Sequence, residues 1–289
     1  MSANRVIGVD LGGTKILAGV IEDGTVTQTV EHPTPTTSQD ALLDGLAAAV
    51  RELPLEGVAA VGFGIPSRID HRDGIALGSV NTPLRDVPFE REMHERLQLP
   101  VAVENDATCA AYAEYVHGVG RGTGNFVMLT LGTGVGGGVV VDGVLFRAWT
   151  ELGHMVIVED GEPCQGACSG RGHVEAYCSG TAANRLAHQV LGPDATAHDL
   201  IEQHHPQLAT IGHHLGITIG SLVNIFGAER FAIGGGFGVA AFEQLVPAAR
   251  GAVLREALPT SGQHVEIECA LLGAEAGLIG AGLVALEAI

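Results

Sequence analysis

Aromatic side chains are scarce in this chain, 4% of 289 residues with a single tryptophan, which excludes a binding surface lined by stacked rings. Positive charge is short as well. Fifteen Lys and Arg stand against 33 Asp and Glu, a net charge of -18, so the overall field repels nucleic acid and anionic membranes. A nucleotide carried with Mg²⁺ is not excluded. Apart from a moderately apolar, glycine-interrupted C-terminus, no window of about 20 residues is free of charges and turn formers. The N-terminus has no basic and apolar leader, and the expectation is a soluble, cytoplasmic protein. Cysteines are few, five in all, and three of them (Cys164, Cys168, Cys178) crowd one segment. That is unlike a secreted disulfide framework, and in a cytoplasmic chain such clustering points to a metal.

What the chain has in plenty is glycine, 42 residues, beside a hydrophobic fraction of 46%. The length suffices for two domains with cores of their own. The organising stretch is Phe126 to Gly143, FVMLTLGTGVGGGVVVDG. Two β-branched runs flank the glycine-dense Gly132-Thr133-Gly134, the pattern of a hairpin whose turn is expected to need positive φ and a bare backbone. Val6 to Gly24, VIGVDLGGTKILAGVIEDG, writes the same sentence earlier. Asp10-Leu11-Gly12-Gly13-Thr14 aligns on Thr130-Leu131-Gly132-Thr133-Gly134. Two copies predict two similar α/β domains facing each other. Backbone N–H groups in such turns make concave anion sites, so the pair reads as a clamp on successive phosphates of one nucleotide; alternatively both are merely tight hairpins. Asp10, ending the first strand, is placed to orient Mg²⁺ directly or through water or to cap a turn, and Thr14 and Lys15 to meet phosphate oxygens.

Along the chain, Gln39 to Leu53 carries a helical apolar face. Val58 to Ile65 reads as a buried strand ending in Gly64-Ile65-Pro66, where α/β proteins tend to place substrate contacts. Asn81 is either a ligand contact or a turn former. Pro100 to Val103 is another strand. It closes on Glu104-Asn105-Asp106-Ala107, which opens a helix to about His117, and Asp106 is a candidate base or an N-cap. Further on, Cys164, Cys168 and His173, with His154 upstream, supply two thiolates and two imidazoles, enough for a closed tetrahedral Zn²⁺ site that pins a loop. Buried free thiols and a surface His remain the alternative, and Cys178 rivals for the fourth ligand. Pro206 to Phe226 reads as a long helix and Arg230 to Ile233 as a strand. Gly234-Gly235-Gly236 allows close approach of a flat ring or a tight turn into a helix from about Val239 to Leu258. Val265 to Cys269 is a last strand, and Ala274 to Ile289 a glycine-spaced helix expected to pack back on the N-terminal domain.

Taken in order, Asp10 to Lys15, Glu104 to Ala107, Leu131 to Gly138, Glu151-Leu152-Gly153-His154, the cysteine segment through Glu175 and Gly234 to Gly236 resemble the ROK family of sugar kinases. The resemblance spans nearly the whole chain. It implies the duplicated actin-like ATPase (ribonuclease H-like) fold, with two domains around a cleft. Residues 1–117, completed by helix 274–289, would form the N-terminal α/β domain, and 118–273 the C-terminal one, with a zinc-binding segment at 154–173. By the same resemblance Asp106 is the general base. Asn105, Glu151, His154 and Glu175 hold sugar hydroxyls, joined by the candidates Gly64 and Asn81. The two turns, at Gly12, Gly13, Thr14 and at Gly132, Thr133, Gly134, hold ATP phosphates, and Gly234 to Gly236 lie near adenosine. The reaction expected is transfer of the γ-phosphate of ATP to the 6-hydroxyl of a hexose, glucose first. Fructose, mannose, N-acetylglucosamine or N-acetylmannosamine, or an idle sugar-binding regulator, are the alternatives. The family suggests a homo-oligomer, dimer or tetramer. Departures from the family pattern are Gly166 in place of the first cysteine of a C-x-C, Cys164 two residues earlier, His173 for a third cysteine, and Ser67-Arg68 after Pro66.

Overall fold

A computed structural model describes residues 5–166, 168–259 and 261–289; Ala167, within the expected zinc segment, lies outside them. The chain divides into two compact units. One takes residues up to Ala113, Arg147–Trp149 and Ala274–Ile289, and the other Glu114–Phe146 and Thr150–Gly273. The three residues Arg147–Trp149, read from sequence as part of the second domain, thus pack with the first.

In the first unit β1 (Arg5–Leu11), β2 (Lys15–Glu22) and β3 (Thr25–Pro33) form an antiparallel meander. Then come α1 (Gln39–Glu52), β4 (Val61–Ile65), β5 (Arg68–Asp70), β6 (Ile75–Gly78), β7 (Arg85–Val87), α2 (Phe89–Leu97), β8 (Val101–Asn105) and α3 (Asp106–Val116). The main sheet runs β3-β2-β1-β4-β8, with β4 parallel to both β1 and β8, and β5-β6-β7 form a small separate sheet. Ser38 caps α1 by accepting from Ala41 N at 3.1 Å, which satisfies one of the amides a helix start leaves open. The buried stripe Leu42, Leu43, Leu46, Val50 faces a core that includes Phe63 and Phe89. Those rings meet edge to face at 5.3 Å.

The second unit repeats the plan. β9 (Phe126–Leu131), β10 (Val135–Val141) and β11 (Val144–Leu145) are again an antiparallel meander. α4 (Glu175–Cys178), α5 (Gly180–Leu191), α6 (Ala197–Glu202) and α7 (Gln207–Phe226) follow, then β12 (Arg230–Gly234), α8 (Gly236–Glu256) and β13 (Glu266–Cys269). The sheet order β11-β10-β9-β12-β13 matches the first sheet strand for strand, with β12 parallel to β9 and β13. Even the outer hairpins agree: Asp23-Gly24 and Asp142-Gly143 both take positive φ at both residues, the two-residue turn whose twist suits a hairpin. The glycine loops themselves do not behave as the sequence suggested. None of Gly12, Gly13, Gly132 or Gly134 has positive φ; what some of them need is space, not handedness. Among the described residues α7 alone has the length and apolarity of a membrane span, and its Gly212 and Gly216 sit against the backbone of α8 at Leu245 and Ala249.

The last helix, α9 (Ala276–Leu286), returns to the first unit and lies on β1 and β4. Its glycines and theirs are what let it in. A Cβ on Gly62 would fall 1.8 Å from Ala281 O, and one on Gly280 1.8 Å from Cys109 O. Gly62→Ala should therefore force backbone apart and cost about 2 kcal/mol or more, as overpacking does. Gly78→Ala, where a Cβ would meet nothing within 4 Å, should change stability by less than about 0.5 kcal/mol. Urea midpoints of the two variants check this, and equal midpoints would refute the packing argument.

Candidate functional site

Parallel strands β1, β4 and β8 bring their carboxyl ends together, and Asp10, Gly64 and Glu104 are direct register neighbours there. This is the edge at which open α/β sheets gather ligand-binding groups. Asn105 and Asp106 follow at once. Asn105, not Asp106, provides the helix cap: its Oδ1 accepts from Thr108 N at 3.1 Å and its Nδ2 donates to Ser67 O at 3.4 Å. Asp106 is the first residue of α3, and its Oδ1 accepts from Ala107 N at 2.8 Å.

Burial pushes the Asp10 carboxyl up to about 7; the negative charge of Asp106 adds to this and Lys15 works against it. A proton on Asp10 is therefore in play near neutrality. Gly277, in the first turn of α9, makes room for it, since a Cβ there would lie 2.7 Å from Asp10 Oδ2. Lys15, the only lysine in the sequence, pairs with Glu31 at 2.9 Å on the exposed face of β2 and β3. The turn after β1 is tied from behind. Gly12 N donates to Lys15 O at 2.9 Å, the Thr34 hydroxyl to Gly12 O at 2.8 Å and Thr34 N to Thr14 O at 3.0 Å. Asn81, exposed, has its Cβ 3.6 Å from where a Cβ of Gly13 would stand.

The turn after β9 follows the same logic with more partners. Gly132 O accepts from Gly180 N at 2.7 Å, and Gly134 O from Gly132 N at 2.9 Å. Thr133 O accepts from both Gln165 Nε2 and Thr181 Oγ1, each at 2.8 Å. All three carbonyls, the groups that would repel an anion, thus face protein donors. A Cβ on Gly132 would meet nothing within 4 Å, whereas one on Gly134 would strike Glu175 Oε2 at 2.2 Å. Glu175 accepts from Val135 N at 2.9 Å through that oxygen, while Cys164 Sγ lies 3.8 Å from Oε1. Gly235, with φ 78°, caps α8 and packs on Leu131, where a Cβ would sit 2.5 Å from the carbonyl oxygen. The triple glycine therefore abuts the second turn.

Between the short 3-10 turn Leu152–His154 and α4, the segment that follows Met155 is stitched to itself. Val156 bridges His173, Pro163 bridges Arg171, and Cys164 N donates to Gly170 O at 2.9 Å. This folding brings ligand atoms of His154, Cys164, Cys168 and His173 to within 4.8 Å of one another. Cys168 Sγ is 3.6 Å from His173 Nδ1, and the two imidazole rings are 5.2 Å apart. Ligands of a tetrahedral Zn²⁺ lie about 3.3–3.8 Å apart, given its usual bond lengths, so the four side chains fit such an ion after a small inward rotation. Burial and the neighbouring Cys168 push the Cys164 thiol up to about 11. Cys178 is no rival: it is fully buried with Sγ toward Ile211 O at 3.9 Å, and burial drives its thiol far up. His154 also stands beside Glu151, Nδ1 to Oε2 3.8 Å.

Several partners had no signal in the sequence. Thr34, Gln165 and Thr181 come from distant segments and carry no motif. Glu104 was visible only as a letter of a motif, and His71 and Arg147, which flank it, not at all.

A model of the ROK family matches residues 6–288. A glucokinase of Streptomyces coelicolor is 34% identical over 97% of either chain. Two solved structures have the same fold: a ROK hexokinase of Thermus thermophilus, 34% identical with TM-score 0.85 over 98% of each chain, and a ROK family glucokinase of Streptomyces griseus in complex with glucose and AMPPNP. The latter is 31% identical, with TM-score 0.81 over 98% of this chain and 99% of that one. With its whole length matched and its two units built on one repeated plan, this chain belongs to the ROK family, on the two-domain actin-like ATPase fold.

Proposed function

We propose that the protein is an ATP-dependent hexose kinase, with glucose the first substrate to be tried. The observation that carries this reading is the cluster of Asp10, Gly64, Asn105 and Asp106 at adjoining strand ends, in a family whose similar member binds glucose and an ATP analogue together. Asp106 is the general base. It takes the proton of the sugar 6-hydroxyl as that oxygen bonds the γ-phosphorus, while the bond to the bridging oxygen breaks and ADP leaves; the proton then passes to water. Asn105, Glu151, His154 and Glu175, with Gly64 and Asn81, hold the sugar. The amides of Gly13 and Thr14 and of Thr133 and Gly134, in turns whose carbonyls at Gly12, Thr14, Gly132, Thr133 and Gly134 are tied back to protein donors, receive phosphate oxygens. Lys15 can exchange its exposed partner Glu31 for a phosphate at little cost. Gly234–Gly236 leave room for adenosine. Asp10 would hold the Mg²⁺ that accompanies the nucleotide, directly or through water, and the ion would supply neutralisation of phosphate charge. Zn²⁺ fits the His154, Cys164, Cys168, His173 set as a structural ion: four protein ligands leave no open position. Its effect on the sugar site is to orient His154. The two domains correspond to the two compact units, Arg147–Trp149 and the last helix belonging to the first. A homo-oligomer in the cytoplasm, where ATP is available, completes the reading.

The test is a panel of hexoses and amino sugars with ATP and, separately, polyphosphate, read as ADP release and as sugar phosphate. Turnover of another sugar alone would move the substrate; binding without turnover would make the protein a sugar-binding regulator instead. Asp106→Asn should lower kcat by at least about 10²-fold, the lower range for a positioned base, with the thermal midpoint preserved. Near-normal turnover would remove Asp106 from this role. Metal removal, or Cys164→Ser or Cys168→Ser, should lower the melting temperature and weaken sugar binding together. Elemental analysis that finds no zinc in fully active protein would refute it.

Asp10 gives a pH prediction. Its folded pKa, about 7, is raised above its ordinary 3.8, so the folded state holds the proton more tightly than the unfolded. Stability from this group is full below about pH 4 and is lost as pH rises through 7. Asp10→Asn should gain on the wild type by about 2–3 kcal/mol between pH 5 and pH 8, while losing activity. Urea unfolding at the two pH values decides it, and an equal difference at both would overturn the assignment.

A further inference from the structure

Arg147–Trp149 is a strap. It leaves β11 and leads directly to Glu151, both in the second unit, yet its three residues pack with the first. Two anchors hold it there. Arg147 Nε lies 3.6 Å from Glu104 Oε2, and its Nη2 2.5 Å from Glu287 Oε2. The Trp149 indole N–H donates to Ile69 O at 3.3 Å, and the Arg68 guanidinium sits 5.1 Å over its ring.

Both anchors touch the surroundings of one short segment. β8 is the outer strand of its sheet, and an outer strand must find partners other than a neighbouring strand for half of its amides. Val103 N finds Glu90 Oε1 at 3.1 Å, and Asn105 N finds the side chain of Glu104, Oε1 at 2.8 Å. That second bond fixes the peptide leading into Asn105 and Asp106. Glu104 is 2% exposed, and its other oxygen is held by His71 Nε2 at 2.8 Å and by Arg147. On the far side, Asn105 Nδ2 reaches Ser67 O, one residue before the Arg68 that covers Trp149. The Ser67-Arg68 pair, unusual for the family, is thereby tied to the strap. A buried carboxylate that lost the Arg147 guanidinium would shift toward whatever still compensates it, and the Asn105 amide would shift with it.

We propose that Glu104 and Arg147 are positioning residues: the strap, through the Arg147–Glu104 contact, holds Asn105 and Asp106 in the geometry that phosphoryl transfer requires. The proposal rests on the kinase reading above. Small displacements of a base are costly, about 10²-fold for 1 Å, so a contact that bears on Asp106 acts on kcat.

The experiment is steady-state kinetics on wild type, Glu104→Gln, Arg147→Met, the double variant and Arg147→Lys, each with sugar and ATP varied in turn and with thermal midpoints recorded. Arg147→Met should lower kcat about tenfold or more, by the same displacement argument, with KM for ATP unchanged, and Arg147→Lys should restore part of the loss. If Arg147 acts through Glu104, the double variant is no slower than Glu104→Gln alone, because residues in one chain of contacts are not additive. Should Glu104→Gln fail to fold, the two Arg147 variants, at a position one-third exposed, carry the test by their kcat and its recovery. An active wild type beside variants with lowered midpoints but unchanged kcat would remove the proposal and leave the kinase standing, as would losses that multiply in the double variant. A wild type that turns over none of the sugars would remove both.

Discussion

Two carboxylates of like charge are held near each other at the end of one sheet, and much of the first unit is arranged to tolerate them. Asp10 lies one residue before the end of β1 and Asp106 begins α3, so neither can retreat without moving a whole element. Burial raises the pKa of Asp10, and the repulsion adds to it. Left empty, such a pair is a liability to stability; with a cation and a phosphorylated ligand in place it becomes an asset, since the charge to be neutralised is already there. Around the pair the backbone thins to glycine. Gly64 lets α3 come close, and Gly277 lets α9 begin beside Asp10.

The duplicated plan answers a second demand. An anion is held by amides only where the neighbouring carbonyls are turned away, and both glycine turns achieve this by giving those carbonyls to protein donors. In the first, a single threonine, Thr34, serves two of them. In the second the donors come from the zinc-segment glutamine Gln165 and from the start of α5. The Cys/His loop is therefore part of the same construction as the second turn. Glu175 joins them, taking the Val135 amide with one oxygen and facing Cys164 with the other. An ion in that loop would reach the turn through one side chain, which gives a structural metal a route to ligand binding.

Legibility from sequence varied with the range of the cause. The repeat was readable because β-branched runs around Gly-Thr clusters and the closing Asp-Gly are local signals, and both copies carry them. The helices α1, α7 and α8 lie within a few residues of their expected bounds, α1 by the spacing of its apolar residues. β3 was missed because only its Val26, Val30 and His32 turn partly inward while the rest is exposed, so it lacks the hydrophobic weight of a strand; the Asp23-Gly24 turn before it was the usable cue. The three short strands β5 to β7 carry too few residues each to show a period. The need for positive φ in the glycine loops was an error of the same kind: glycine can answer for handedness or for space, and the letters do not say which.

The local chemistry was set by the sequence: which residues could hold phosphate, accept a proton or bind a soft metal ion, and that the chain repeats one α/β plan. Long-range contact decided the rest. Which cysteine stays out of the His/Cys cluster depends on α7 lying behind Cys178, the role of Asn105 as cap depends on the junction of β8 with α3, and the placing of Arg147 on Glu104 depends on three residues that belong to the first unit. Such outcomes arise from burial and from partners dozens of residues away, and no spacing along the chain encodes them.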